Sequence, residues 1–309
     1  MSVSTTAGNA EQSALHLETT PVQFRKILAA TDFSEQATAA LKIAVRIAKL
    51  FHSRLSVVYA VAPEFYMADT TMLSSELQKI DAERGRHQLH EHTRKIAEVR
   101  TSVHEELVFC GAPNEVIKAV AETEGTDLIV MGSHGRSPAG KMVLGSVAES
   151  VIRRTHCPVL VVGPHCEPDW RPLKSIVLAT NLPALSLRAA QYATSLTKQF
   201  GGDLTVIHVV GGHTSKAGQS EAAEERLARK DLRELAPHDP EFRRHVHFQV
   251  SSGDAAAEIV RIAKIAKASL IVMGAREQSP LADHAPWAML SKVIRAAACP
   301  VLAVQPHLA

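Results

Sequence analysis

The sequence lacks any apolar run of the roughly 20 residues needed to span a bilayer, and it has almost no excess of charge of either sign. Its 34 basic and 32 acidic side chains leave a net charge of +2, whereas a nucleic-acid-binding protein needs a concentrated basic face. The first residues contain neither a basic segment nor an apolar segment of the signal-peptide kind. We therefore predict no membrane and no nucleic-acid partner, and expect residues 1–22 to be a disordered N-terminal arm.

Cysteine is also scarce. The chain has four cysteines in 309 residues, Cys110, Cys157, Cys166 and Cys299, and no two of them have C-x-x-C spacing. Four scattered cysteines in a chain of this length do not make a disulfide framework, so we expect reduced thiols and a cytoplasmic location. Cys157 and Cys299 each precede a proline and an apolar run, which favours a packing role.

The sequence contains an internal duplication. The segment that begins at Arg25 aligns with the segment that begins at Lys174, and Asp127–Val162 aligns without gaps with Ser269–Val304, where 15 of 36 positions are identical. A stretch with three prolines and little periodicity separates the copies. The duplication predicts a first domain over residues 23–163, a linker over residues 164–172 and a second domain over residues 173–306.

Each copy alternates short β-branched runs with helical patterns. The run Leu128–Met131 is nearly uncharged, which is typical of a parallel strand covered on both faces. The final strand of each copy, CPVLVV or CPVLAV, is apolar on both faces and would leave an edge that attracts pairing. The alternation predicts an α/β fold with a parallel sheet, right-handed crossovers and helices on both faces. In the first copy the patterns predict strands at 26–30, 55–61, 106–109 and 128–131, and helices near 76–99, 114–124 and 146–154.

A glycine-rich loop follows the strand at 128–131, with the sequence MGSHGRSPAGKMVLGS over residues 131–146. The dinucleotide pattern G-x-G-x-x-G is absent. The pattern G-x-x-x-x-G-K-[ST] fails, because Met142 stands where a magnesium-binding hydroxyl is required. The pattern G-x-x-G-x9-G-[ST] is satisfied in full by Gly132, Gly135, Gly145 and Ser146.

This spacing has a physical interpretation. Gly132 ends a strand at the carboxyl edge of the sheet, where open α/β sheets bind ligands. Gly135 and Gly145 lack a Cβ, so the backbone can approach phosphate oxygens closely. Ser146 opens the last helix and forms a capping-box pattern with Glu149, and the helix N-terminus would add its own donors. The pattern favours nucleotide binding; the alternative is a glycine-rich loop with an ordinary helix cap.

Three motifs carry a family resemblance: TDFSEQA after the first strand, DLIVMGSHG, and LGSVAESVIRRTHCPVLVV. On these motifs the chain resembles a tandem universal stress protein from Arg25 to Pro306. The resemblance implies two Rossmann-like domains, each with a five-stranded parallel sheet of order 3-2-1-4-5. It also implies that the copies pack as an intramolecular pseudo-dimer through their final strands, with Val159–Val162 facing Val301–Val304, and it leaves a homodimer of chains open.

The same resemblance implies that the first copy binds ATP, with Mg²⁺ as the accompanying ion. By position, Ala30, Thr31 and Asp32 would flank the adenine and the ribose. Two further residues, Ala60 and Met131, would close on the base. The phosphates would be met by Gly132, Gly135, Arg136, Gly145, Ser146 and Val147.

The second copy departs from this pattern. Asn181 replaces the acid Asp32, and Glu277 stands at the position of Gly135. Trp287 and Ala288 replace the Gly-Ser pair. A carboxylate would repel phosphates and a tryptophan would fill their space. We therefore predict that only the first copy binds ATP and that the second copy is structural or regulatory.

Other candidates for chemistry are weaker. His87 and His90 share a helical face but His92 does not, so we expect a solvated helix rather than a metal site. Asp32 is the only acid tied to the loop, and we assign no catalytic residue. The favoured function is a cytoplasmic, ATP-binding stress or signalling module whose nucleotide state controls an unidentified protein partner. A slow ATPase or autophosphorylating enzyme is the alternative, and a ligand-free structural pseudo-dimer is the third interpretation.

Overall fold

The structure is a computed structural model, and it describes residues 21–62, 71–135, 144–167, 170, 173–181, 187–210, 221–234, 239–275 and 285–305. The predicted N-terminal arm lies outside the described residues as far as residue 20. Arg136 and Glu277 also lie outside them, as do four residues of the predicted linker.

The described residues of the first half form five strands and five helices. The strands are β1 (Lys26–Thr31), β2 (Arg54–Val61), β3 (Val103–Cys110), β4 (Leu128–Gly132) and β5 (Val159–Val162). The helices are α1 (Glu35–Phe51), α2 (Thr71–Lys95), α3 (Ala97–Arg100), α4 (Pro113–Glu124) and α5 (Ser146–Arg154). The predicted helix at 146–154 is confirmed residue for residue, whereas the predicted helix near 76–99 is replaced by α2 and the short α3.

The second half repeats this order. Its strands are β6 (Ser175–Ala179), β7 (Asp203–Val210), β8 (Val246–Ser252), β9 (Leu270–Gly274) and β10 (Val301–Val304). Its helices are α6 (Leu187–Phe200), α7 (Glu221–Glu234), α8 (Pro240–Arg243), α9 (Ala255–Ile265) and α10 (Ala285–Ala296). No helix in the described part of the chain combines the length and the apolar character needed to cross a bilayer.

The ten strands form a single sheet with the order β3-β2-β1-β4-β5-β10-β9-β6-β7-β8. Counted within each half, the strand order is 3-2-1-4-5, and the pairs inside each half are parallel. Among the strands that the structure describes, β5 and β10 are the one antiparallel pair. The two halves therefore run in opposite directions about the centre of the sheet, as a local two-fold axis there requires.

The seam between the halves is the β5–β10 pair. Leu160 lies opposite Leu302, with Val161 opposite Val301 and Val159 opposite Ala303. Leu160 is 2% exposed and Leu302 is 1% exposed. The predicted pairing of the two final strands is confirmed, and its register is now defined.

Two hydrophobic clusters cover the faces of the sheet. Leu160 belongs to one cluster, whereas Val159 and Val161 belong to the other, as the alternation of side chains along a strand requires. Each cluster contains residues from both halves. The cores of the two copies are therefore continuous across the seam on both faces.

Trp170 ties the segment between the copies to this core. Its side chain is 5% exposed, and its Nε1–H donates to the carbonyl oxygen of Ser269 in the second half. Arg46 on α1 donates to the carbonyl oxygen of Trp170 at 2.9 Å. The connection is thus anchored to both halves at this residue, a role that the sequence analysis did not predict.

The cysteines before the two seam strands behave as packing residues, as predicted. Cys299 is buried, Cys157 is partly buried, and both contact the same hydrophobic cluster. Burial raises the pKa of each of these thiols to about 12, so both stay protonated and uncharged at neutral pH. They contribute apolar contacts to the hydrophobic cluster next to β5 and β10.

A charge placed in the seam should break the packing of the halves. In the double variant Leu160→Lys with Leu302→Lys, two ammonium groups would be buried opposite each other, because these residues are paired across the seam. We expect a loss of several kcal/mol in the free energy of unfolding, or separation of the halves. Thermal melting and small-angle scattering measure the two outcomes.

The matched control is Leu227→Lys with Ile265→Lys, since these side chains are 54% and 66% exposed. The control should melt within a few degrees of the wild type. A seam variant with wild-type melting and wild-type scattering would show that the β5–β10 pair does not hold the halves together.

Candidate functional site

A cavity of about 450 Å³ opens at the carboxyl ends of β1, β2 and β4. Its volume lies within the usual range for small-ligand sites, roughly 300–1,000 Å³. Among the described residues, every predicted site residue lines this cavity: Ala30, Thr31, Asp32, Ala60, Met131, Gly132, Gly135, Gly145, Ser146 and Val147. Arg136 is the one predicted site residue that lies outside the described part of the chain. The structure thus brings together residues that are more than 100 positions apart.

Part of the cavity wall is apolar. Val58, Ile117 and Met131 line it and are buried, and Pro113 adds the first turn of α4. Ala30 also lines this part of the wall, and its small side chain leaves room. Apolar walls of this kind are usual where a protein binds an aromatic group. Val58, Pro113 and Ile117 were not predicted as site residues, because nothing in their local sequence pattern distinguishes a cavity wall from an ordinary core.

The turn after β1 fixes the position of Asp32. The Oδ1 atom of Asp32 accepts a hydrogen bond from the Ser34 amide at 3.0 Å. Ser34 is the N-cap of α1, and its Oγ accepts from the Ala37 amide at 3.2 Å. A Cβ placed on Gly135 would lie 2.3 Å from Oδ2 of Asp32. The carboxylate therefore sits against a position where any side chain would collide with it.

The other two loop glycines are also close-packed. A Cβ on Gly132 would lie 3.0 Å from the backbone of Gln36 and Ala37, so the end of β4 rests on the start of α1. A Cβ on Gly145 would lie 3.0 Å from the carbonyl oxygen of Ser133. The Gly145 amide donates to that same oxygen at 2.9 Å. This amide is therefore used inside the protein, and Gly145 serves to bring the two ends of the loop together.

The N-terminus of α5 opens onto the cavity. Gly145 is the N-cap and makes no side-chain cap hydrogen bond, and Ser146, Val147 and Ala148 line the cavity. The predicted capping box is wrong, because Ser146 is the first helical residue and the N-cap is Gly145, which has no side chain; Glu149 forms an ion pair with Arg153 at 2.8 Å. The amides of the first turn thus have no capping side chain, and they carry the partial positive charge of the helix end. This is the usual local structure of an anion site.

His134 contributes a further polar group. Its Nδ1 lies 2.9 Å from Oγ of Ser133. Its Nε2 is buried and has no hydrogen-bond partner among the described residues. Since buried polar atoms in native proteins are nearly always paired, this atom marks a place where a ligand could supply the partner.

The second copy is built differently at the equivalent place. Ser146, where α5 begins, aligns with Ala288, but α10 begins three residues earlier at Ala285. The position equivalent to Gly145 is Trp287, which lies inside the first turn of α10. The helix therefore runs through the position where the first copy keeps an uncapped helix end.

The histidines of α2 have separate contacts. Nδ1 of His90 lies 3.2 Å from Oε2 of Glu106, and Nε2 of His92 lies 3.3 Å from Oγ1 of Thr38. Across the described residues, no three His, Cys, Asp or Glu side chains come together in a way that could hold a metal ion.

Comparisons with known proteins identify a family. The family model described as "Universal stress protein family" matches residues 23–163 and 172–305. Universal stress protein MJ0531 of Methanocaldococcus jannaschii is 36% identical over 143 residues, which is 45% of this chain and 82% of that protein. Universal stress protein MJ0577 of the same organism is 32% identical over 157 residues, or 46% of this chain and 96% of that protein.

A solved structure agrees with the tandem fold. The crystal structure of a universal stress protein from Archaeoglobus fulgidus covers 92% of this chain and 99% of its own, with a TM-score of 0.65. Its sequence is 23% identical to this chain, so the likeness concerns the fold.

Proposed function

The chain belongs to the universal stress protein family, and we propose that its first copy binds ATP and acts as a nucleotide-dependent stress or signalling module. The observation that carries this proposal is the cavity at the carboxyl ends of β1, β2 and β4, whose wall combines apolar side chains with an uncapped helix N-terminus. A nucleotide has the matching distribution of chemistry, with an aromatic base at one end and anionic phosphates at the other.

The residues that line the cavity offer a contact for each part of such a ligand. Ala30, Ala60 and Met131 would hold the base, and Asp32 would accept hydrogen bonds from the ribose hydroxyls. Gly132 and Gly135 would lie along the phosphates, and the amides of Ser146 and Val147 would donate to phosphate oxygens. Arg136 would add a charged donor. ATP when bound would bring its own Mg²⁺, which would neutralise part of the charge of the phosphates.

The signalling role rests on the form of the site. In the described part of the cavity wall Asp32 is the one carboxylate, and its Oδ1 is bonded to the turn after β1. A carboxylate held in this way is better suited to binding the nucleotide than to catalysing its hydrolysis. We therefore propose that the protein acts by contacting a protein partner in a nucleotide-dependent manner. A cytoplasmic location is part of the proposal and is supported by four unbridged cysteines. Sustained release of ADP, or labelled phosphate on the protein, would favour the enzymatic alternative instead.

The proposal predicts one ATP per chain. The first copy has the open helix end and the three loop glycines, whereas α10 of the second copy runs through the equivalent position. Isothermal titration of the full chain with ATP should therefore give a stoichiometry near one. Mass spectrometry of the ligand released from purified, denatured protein would identify the nucleotide carried. Two equivalent ATP sites would contradict the assignment of the second copy.

Gly145→Trp should abolish ATP binding in a folded chain. A side chain at this position begins 3.0 Å from the carbonyl oxygen of Ser133 and would displace the loop that closes the site. The second copy already has Trp287 at the equivalent position. The control is Ile265→Trp, which adds the same ring at a side chain that is 66% exposed. ATP binding by Gly145→Trp at wild-type affinity would place the phosphates elsewhere.

Gly135→Glu should weaken ATP binding through charge. The new carboxylate would stand beside Asp32, at the place assigned to the phosphates, and would repel them. Gly135→Gln has nearly the same volume without the charge, so it separates repulsion from bulk. We expect the Glu variant to bind at least about ten-fold more weakly than the Gln variant at low salt, since a difference of ~1.4 kcal/mol suffices. Equal affinities of the two variants would argue against phosphates at Gly135.

A further inference from the structure

The second copy of the repeat contacts the ligand loop of the first. The backbone amide of Leu144 donates to Oγ of Ser291 at 3.0 Å. Ser291 lies on α10 in the second half, whereas Leu144 lines the cavity and precedes Gly145, the N-cap of α5. A hydroxyl of one copy therefore holds the last loop residue of the other.

The helix that carries Ser291 is firmly placed. Gly163, directly after β5, approaches α10 so closely that a Cβ there would lie 2.0 Å from the carbonyl oxygen of Ile294. Leu290, Val293 and Ile294 are buried in the cluster that also contains Leu144. Because α10 cannot shift without opening these contacts, Ser291 presents its oxygen to the loop at a fixed position.

This support runs in one direction. Ser291 aligns with Glu149 of the first copy, and Glu149 pairs instead with Arg153 on its own helix. Gly163 aligns with Gln305, whose Nε2 donates to the carbonyl oxygen of Ile152 at 2.6 Å. The aligned positions on the two sides of the local two-fold axis thus make different contacts. The hydrogen bond between Ser291 and the loop is formed on the side of the first copy's cavity.

We propose that Ser291 is a positioning residue for the nucleotide site, so that the second copy sets the affinity of the first. The inference rests on the ATP binding proposed above. By holding the Leu144 amide, Ser291 fixes the chain where it enters Gly145 and the first turn of α5. A loop end that is ordered before the ligand arrives loses less conformational freedom on binding. The coupling is reciprocal, so ATP must also strengthen the hold on α10.

The affinity test compares three variants of the full chain. Ser291→Ala removes the acceptor and should raise the Kd for ATP roughly two- to ten-fold, the usual effect of one hydrogen bond. Ser291→Thr keeps a hydroxyl and should bind within about two-fold of the wild type. Ser252→Ala is the control, because it also loses one hydroxyl hydrogen bond in the second half, to Oε1 of Glu225 at 2.7 Å. The control should keep the wild-type Kd.

Amide hydrogen exchange distinguishes this coupling from a merely structural role of Ser291, because a structural role would not alter the effect of ATP on exchange in α10. In the wild type, saturating ATP should slow exchange in the peptide that covers Ala285–Ala296. In Ser291→Ala the same peptide should lose this ATP effect, while peptides of the cavity stay protected by ATP.

The outcomes separate the two proposals. A Ser291→Ala protein with wild-type Kd and an ATP effect on α10 would overturn the coupling and leave ATP binding in place. A folded Ser291→Thr protein that binds as weakly as Ser291→Ala would also contradict the assignment to the hydroxyl. A wild-type protein that binds no ATP would overturn the proposed function, and the coupling with it.

Discussion

The antiparallel pairing of β5 with β10 is the constraint on which the rest of the structure depends. It joins two five-stranded sheets into one and removes the two strand edges that would otherwise invite association. Leu160 and Leu302 lie opposite each other at its centre, and a slip of one residue would turn both to the wrong face. Since both hydrophobic clusters cross this seam, the halves cannot part without exposing apolar surface on both faces.

The seam also decides what stands beside the ligand cavity. In each half the last helix precedes the last strand, so the pairing brings α10 of the second half up to the loop of the first. The contact between Ser291 and the Leu144 amide follows from this placement. Two identical copies would make the same contacts on both sides of the axis. The different residues at 149 and 291, and at 163 and 305, are what make the arrangement directional.

Much of the fold could be predicted from the sequence, because alternation of buried and exposed positions is a local property. The helix Ser146–Arg154 followed from its sequence pattern, whereas the pairing of the final strands followed from the family resemblance. The loop glycines followed from spacing, and they line one cavity. Trp170 and Ser291 could not be found this way, since their partners depend on how the halves are placed to within the length of a hydrogen bond. The capping box failed because the helix starts one residue earlier than that pattern requires, so that Gly145 and not Ser146 is the N-cap.

The loss of the ligand motif in the second copy and its support of the first are one physical change. Trp287 stands where the first copy has Gly145, and α10 begins at Ala285, three residues earlier than the alignment with α5 requires. Each added residue contributes an intrahelical hydrogen bond, and Pro286 suits a first turn, where no amide partner is needed. A helix whose first turn must stay open for an anion cannot be lengthened in this way. The longer α10 is therefore the better anchor for Ser291, and a second ATP site at its N-terminus would weaken the support that the first site receives.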